Sequence, residues 1–278
     1  MLFRNTLLQI TGATRNRRLI AAHTLAIAFS MALGGFLYAQ QAPPGGAPPA
    51  GGRVRGAARG PLIAPLEESG FQQIFDGKSL NAWDCDPDFW RVENAAIVGE
   101  TSAGHQPKQN IFCIWKGGSP ADFELKLQYK LTGETGNSGI QYRSVELPSV
   151  AKWVMKGYQA DIDGRQQYTG QVYEERGRGF LALRGQIAYV PEGKKAGSIG
   201  STGESDQLKS LIKTDDWNDL HIIARGNTLI QLINGRVMSV VIDDDQANRK
   251  MDGEIGIQLH VTNAAMKIES RNIRLKIF

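Results

Sequence analysis

The 278-residue chain has only two cysteines, which excludes a small disulfide-stapled scaffold. It has a single long apolar stretch, at residues 19–39, so it is not a polytopic membrane protein. It has no Gly-x-x-x-x-Gly-Lys-Ser/Thr: Gly77-Lys78-Ser79 carries the end of that loop, but Gln72 stands where its first glycine belongs. Gly-x-Gly-x-x-Gly after a strand, His-Glu-x-x-His and Gly-x-Ser-x-Gly are missing too, which argues against dinucleotide, zincin and serine-hydrolase chemistry. An excess of basic charge is missing where it would matter. The whole chain is +4, but Arg4, Arg15, Arg17, Arg18, Arg53, Arg55 and Arg59 all precede residue 61. Without them 25 basic residues face 28 acidic ones, a net charge of −3. That gives no electrostatic footprint for nucleic acid.

What is present divides the chain in three. Residues 1–39 have a basic start, the apolar stretch and a small residue, Ala39, before Gln40, which is the layout of a secretory signal peptide. The apolar run is long, so an uncleaved membrane anchor is the alternative. Residues 40–69 form a linker, rich in Pro, Gly and Ala, that cannot bury a core. Residues 70–278 are expected to fold as one domain, placed by the signal in the periplasm or outside the cell. Cys85 and Cys113 could pair in such a compartment, but spacing leaves this open.

From Phe71 onward the hydrophobic period is two. Phe123-Glu124-Leu125-Lys126-Leu127-Gln128-Tyr129-Lys130 alternates strictly, as do segments 139–143, 254–260 and 273–277. Such alternation predicts half-buried strands. Asn234-Gly235 predicts a type I′ hairpin between Leu229–Ile233 and Val237–Ile242, and Arg225-Gly226-Asn227 a further turn. About a dozen strands with glycine-rich turns and no long amphipathic helix predict an all-β antiparallel sandwich.

Alternation also groups the polar side chains. Gln159, Asp161 and Asp163 share one face of a strand that begins near Tyr158; Asn137, Gln141 and Arg143 align on another, and Gln258 and His260 on a third. Amides beside ionisable groups suit carbohydrate hydroxyls, and Trp153, in a loop before the carboxylate strand, is the expected sugar platform. Glu174 and Glu175 are candidate acids. Asp161-x-Asp163-Gly164 also suggests a divalent cation held by Asp161 and Asp163, although the other ligands of a calcium loop are missing.

In order along the chain, Phe75-Asp76-Gly77-Lys78-Ser79-Leu80-Asn81-Ala82-Trp83, Trp90-Arg91-Val92-Glu93-Asn94, Phe123-Glu124-Leu125, Asn137-Ser138-Gly139-Ile140 with Arg143, Trp217-Asn218, Asn234-Gly235, residues 256–260 and Arg271-Asn272-Ile273 resemble the 3-keto-disaccharide hydrolase domain family. The resemblance covers about residues 70–278. It implies a concanavalin A-like jelly-roll sandwich and action on glycosides whose glucose C3 is a ketone. One departure matters. The family's Tyr-Glu-x-Gln-x-x-Asp reads here Tyr158-Gln159-Ala160-Asp161-Ile162-Asp163, so a carboxylate has moved two places along the same face. Gln159 cannot be the nucleophile of a retaining glucanase. The expected reaction is removal of the C2 proton, elimination of the C1 substituent and hydration. Asp161 or His260 would be the base, Arg143 or the divalent cation the enolate stabiliser, and Glu174 or Glu175 the acid. Asn137, Gln141, Tyr158, Gln159, Gln258 and Trp153 would hold the sugar. The alternative is a non-catalytic carbohydrate-binding module.

Overall fold

The computed structural model describes residues 68–278. The signal, anchor and most of the linker lie outside the described residues. In chain order the strands are β1 (Gln72–Gln73), β2 (Trp83–Asp84), β3 (Trp90–Glu93), β4 (Ala96–Thr101), β5 (Ile111–Trp115), β6 (Phe123–Thr132), β7 (Asn137–Glu146), β8 (Met155–Asp163) and β9 (Val172–Glu175). They continue with β10 (Gly179–Ala182), β11 (Gln186–Val190), β12 (Gly197–Ser201), β13 (Asn218–Arg225), β14 (Thr228–Ile233), β15 (Arg236–Asp243), β16 (Glu254–Leu259) and β17 (Met266–Ile277). The only helix among the described residues, Ser205–Lys209, is 5 residues long.

The strands form two sheets, the all-β sandwich expected. One has 10 strands, ordered β12-β11-β15-β14-β13-β6-β17-β4-β3 with β1 added beside β17; the other has 7, ordered β10-β9-β8-β7-β16-β5-β2. Every pairing is antiparallel except that of β11 with β15. Alternation explains the layering. Phe123, Leu125, Leu127, Tyr129 and Leu131 of β6 face the core, and meet Ile140, Tyr142, Tyr158, Ile162, Ile255 and Ile257 of the other sheet in one apolar cluster. Each such side chain adds about 1.5–3 kcal/mol by leaving water. The Asn234-Gly235 turn joins β14 to β15 with φ of 50° and 76°, the double positive φ of a type I′ turn.

β5 departs from alternation, because all five of its residues are buried. Its second face packs Phe112 and Ile114 against Met155. Met155 reaches over Gly256, where a Cβ would lie 2.6 Å from its sulfur. The chain also joins Cys85 to Cys113 by a disulfide, which ties β5 to the segment leaving β2.

Candidate functional site

The site lies on the face of the seven-stranded sheet turned away from the core. Two cross-strand rows build it. Tyr173, Gln159, Gln141 and Gly256 stand opposite one another along the first; Asp161 and Gly139 are paired in the second, where Gln258 lies beyond the glycine, next to Phe112. Gly139 leaves room that Gln159 uses: a Cβ there would lie 2.6 Å from the Gln159 side chain.

The rows are tied by a directed chain of hydrogen bonds. Gln159 Nε2 donates to Asp161 Oδ1 at 2.6 Å, and Gln141 Nε2 donates to Gln159 Oε1 at 3.1 Å. The Ser144 hydroxyl closes the chain on Gln141 Oε1. A carboxylate only accepts, so Asp161 dictates the orientation of every amide in it. Gln159 also donates to Gln258 Oε1 at 3.4 Å. Gln258 Nε2 is left as a buried donor with no partner among the described residues. Such a group calls for an ordered water or a ligand oxygen.

Asp161 is 8% exposed. Its Oδ1 is held by Gln159, whereas Oδ2 has no partner among the described residues and reaches solvent. Burial, with the neighbouring charges of Asp163 and Glu175, pushes its carboxyl up to about 7 against the opposing Gln159 hydrogen bond. Tyr173 is half-buried on the same face. Burial and the carboxylates of Glu175 and Asp161 raise its hydroxyl, so it stays a proton donor. Beyond Tyr173 the sheet edge carries Phe180, its ring centroid 5.0 Å from that of Tyr173 and 5.6 Å from that of Tyr168. His260 follows Leu259 on this side. Its Nδ1 lies 2.6 Å from the Val261 carbonyl. That oxygen only accepts, so Nδ1 carries a proton, and Nε2 has no hydrogen-bond partner among the described residues. Asn137, opposite Asp163, is half-buried near this end.

Several expected residues lie elsewhere. Arg143 is 1% exposed and packs inward. It donates to the carbonyls of Ala121, Gly226 and Lys250 and pairs with Asp122 at 3.0 Å. A register shift between Tyr142 and Val145, with Arg143 at φ 45°, reverses the face that alternation assigned it. Arg143 therefore holds loops and cannot meet an enolate. Glu174 is likewise interior, bound by Arg178 at 2.5 Å in a network with Asp243 and Asp245. Tyr158 donates to Asp243 Oδ2 at 2.5 Å within the core and holds no sugar. Trp153 runs beside the edge of β5, its Nε1 donating to Asp84 at 2.8 Å and Lys152 Nζ 4.0 Å from its ring centre, so its surface is already used.

Asp163 does not fit a cation. Its Oδ1 accepts from the Tyr168 and Thr169 N–H groups and the Thr169 hydroxyl, and its Oδ2 from the Gln167 N–H. These bonds shape the turn between β8 and β9, and the Asp161–Asp163 pair is thereby corrected as a ligand set. Among the described residues no group of three or more His, Cys, Asp or Glu side chains is arranged to hold a metal ion.

Tyr173 escaped sequence reasoning although a signal existed. In Val172-Tyr173-Glu174-Glu175, alternation places Tyr173 and Glu175 together and Glu174 opposite. Phe180 had no comparable signal, because its neighbours come from the strand pairing across β9 and β10.

The family model described as "3-keto-alpha-glucoside-1,2-lyase-like domain" matches residues 70–276. A curated 3-keto-disaccharide hydrolase of Bacteroides thetaiotaomicron is 30% identical over 110 residues, which span 36% of this chain and 36% of the relative's length. A proposed glycosyl hydrolase of Parabacteroides distasonis has 16% identity and a TM-score of 0.49, with 75% of this chain and 99% of that one covered. A carbohydrate-binding module of Bacillus subtilis has 15% identity and a TM-score of 0.45, over 70% and 95% of the two chains. No helix of the described residues is long and apolar enough to cross a membrane.

Proposed function

The chain belongs to the 3-keto-alpha-glucoside-1,2-lyase-like domain family, and from that premise we propose that it cleaves the glycosidic bond of 3-keto-glucosides by elimination and hydration. The observation that carries this reading is Asp161: a buried carboxyl poised at about 7, one oxygen tied and the other reaching solvent. A base of that strength suits removal of a proton made acidic by an adjacent ketone.

Asp161 takes the C2 proton, and the C2–H electron pair forms the enolate of the C3 ketone. Gln258 Nε2, directly or through the water it calls for, donates to the C3 oxygen as negative charge develops there. The enolate then expels the C1 oxygen, leaving a C1–C2 double bond conjugated to the ketone. Tyr173 protonates the departing oxygen. Water adds to C1, its proton received by His260 Nε2, while Asp161, after its proton has exchanged with solvent, protonates C2. Proton return from His260 to Tyr173 through solvent closes the cycle. The net change is hydrolysis. The disulfide and the signal-like leader support action in an oxidising compartment, the periplasm or outside the cell.

The test is turnover of a 3-keto-glucoside by the full chain in deuterium oxide. Release of 3-keto-glucose carrying deuterium at C2 supports the reading. Release without deuterium means direct displacement and refutes the mechanism. Binding without release would make the protein a carbohydrate-binding module.

A further inference from the structure

Past the aromatic edge of the site lies a cavity of about 520 Å³. One wall is apolar, made by Phe180 and Leu181 of β10, Val190 of β11 and Ala196 of the following loop. The polar lining residues are Arg178, Asp245 and Asn248, with the exposed Lys194 and Lys195. Phe180 connects this space to the site. It is opposite Tyr173, which is opposite Gln159, and it is 44% exposed despite stacking on Tyr168. From Asp161 to Phe180 the sheet geometry gives two strand spacings and one two-residue step, roughly 12 Å between Cα atoms. A glycoside with its C2 at Asp161 can thus direct its leaving group along the sheet toward Phe180 and the cavity.

We propose that this cavity is the subsite for the leaving group and that it takes a flat aromatic one, a phenol linked to the sugar; this rests on the glycoside-cleaving reading. The polar side decides against a second sugar ring. Asp245 already accepts from the Gly193 N–H, from Arg178 and from Asn248 Nδ2. Arg178 also donates to Glu174 and Asp243. These groups are spent on one another, so few remain to bind a ring of hydroxyls. An aromatic ring needs none of them. It gains the Phe180 face and the aliphatic wall.

The experiment compares 4-nitrophenyl and methyl 3-keto-glucosides on wild type, on Ala196→Phe, which fills the cavity, and on Phe180→Ala, which removes a side chain that is 44% exposed. In both variants the ratio of kcat/KM for the aryl substrate to that for the methyl substrate falls at least tenfold. An unchanged ratio overturns the proposal, as does a selective loss on a 3-keto-disaccharide in place of the aryl substrate. Calorimetry with 4-nitrophenol alone separates the two readings, because it needs no turnover. Binding by wild type that both variants lose supports the subsite even if neither glycoside is cleaved. No binding by wild type refutes it even if cleavage is observed.

Discussion

Replacing Asp161 by asparagine should move activity and stability in opposite directions. The carboxyl sits at about 7 in the fold against an ordinary 3.8, because burial and two neighbouring carboxylates oppose its charge. Below pH 4 it is protonated in both folded and unfolded chains and costs nothing. As pH rises from 3.8 to about 7, the unfolded chain gives up this proton and the folded chain keeps it. The stability conferred by the proton is therefore lost through that window. About three pK units at about 1.4 kcal/mol each set a ceiling near 4 kcal/mol. Asparagine is the same size, is never charged and still accepts from Gln159. Urea unfolding of the full chain at pH 4, 6 and 8 should show coincident stabilities at the lowest pH. The variant should be about 2–4 kcal/mol more stable at the highest. Its kcat/KM on a 3-keto-glucoside should fall at least ~100-fold, while wild-type activity falls on acidification with a midpoint at about 7. A variant no more stable than wild type at pH 8 would refute the account of Asp161 as a strained, buried base.

Arg143→Gln should lose about 3–5 kcal/mol, because three carbonyls and Asp122 lose their donor; thermal unfolding checks this, with a fall of roughly 6–20 °C expected for a domain of this size. Tyr173→Phe should lower kcat about 10²–10⁴-fold with alkyl leaving groups and much less with 4-nitrophenol, which leaves without protonation; steady-state kinetics on the two substrates reads the difference. Cys85→Ser with Cys113→Ser opens a link across a sequence separation of 28, worth about 3–4 kcal/mol on loop entropy, measurable as a lower urea midpoint with an unchanged product profile.

Period-two alternation carried the fold and, strand by strand, grouped Gln159 with Asp161 and set Gln141 and Gln258 on the polar sides of their own strands; the pairing of those strands brings all four onto one face. It failed at Arg143 because one bulge inverts the parity of everything after it, and nothing local announces that bulge. Gly157, which faces Ser144 of the bulge at φ 150°, is its clearest trace. Tyr158 and Glu174 are a different case. Their parity is opposite to that of Gln159 and Glu175 and points inward, although their side chains are of the types that bind sugars. Asp163 obeys parity and is still lost to the site, because its oxygens are captured by donors four to six residues further along the chain. Phe180 and the cavity arise from strands meeting at the sandwich edge, a relation that no single segment encodes.

The lone parallel pairing has a consequence for how the protein assembles. β11 finds its partner β15 only after some fifty further residues, with Ile187 beside Val240. Emerging from the ribosome, the stretch that walls the cavity must wait, unpaired on that side, until three later strands have formed a surface to receive it. Such distant closures are slow. The cavity wall is thus closed in sequence at β15 and the scaffold around Asp161 only after it, at β16, so the two sides of Phe180 are made at different moments. A lesion in β15 would spoil the leaving-group wall from a place that touches neither sugar nor base.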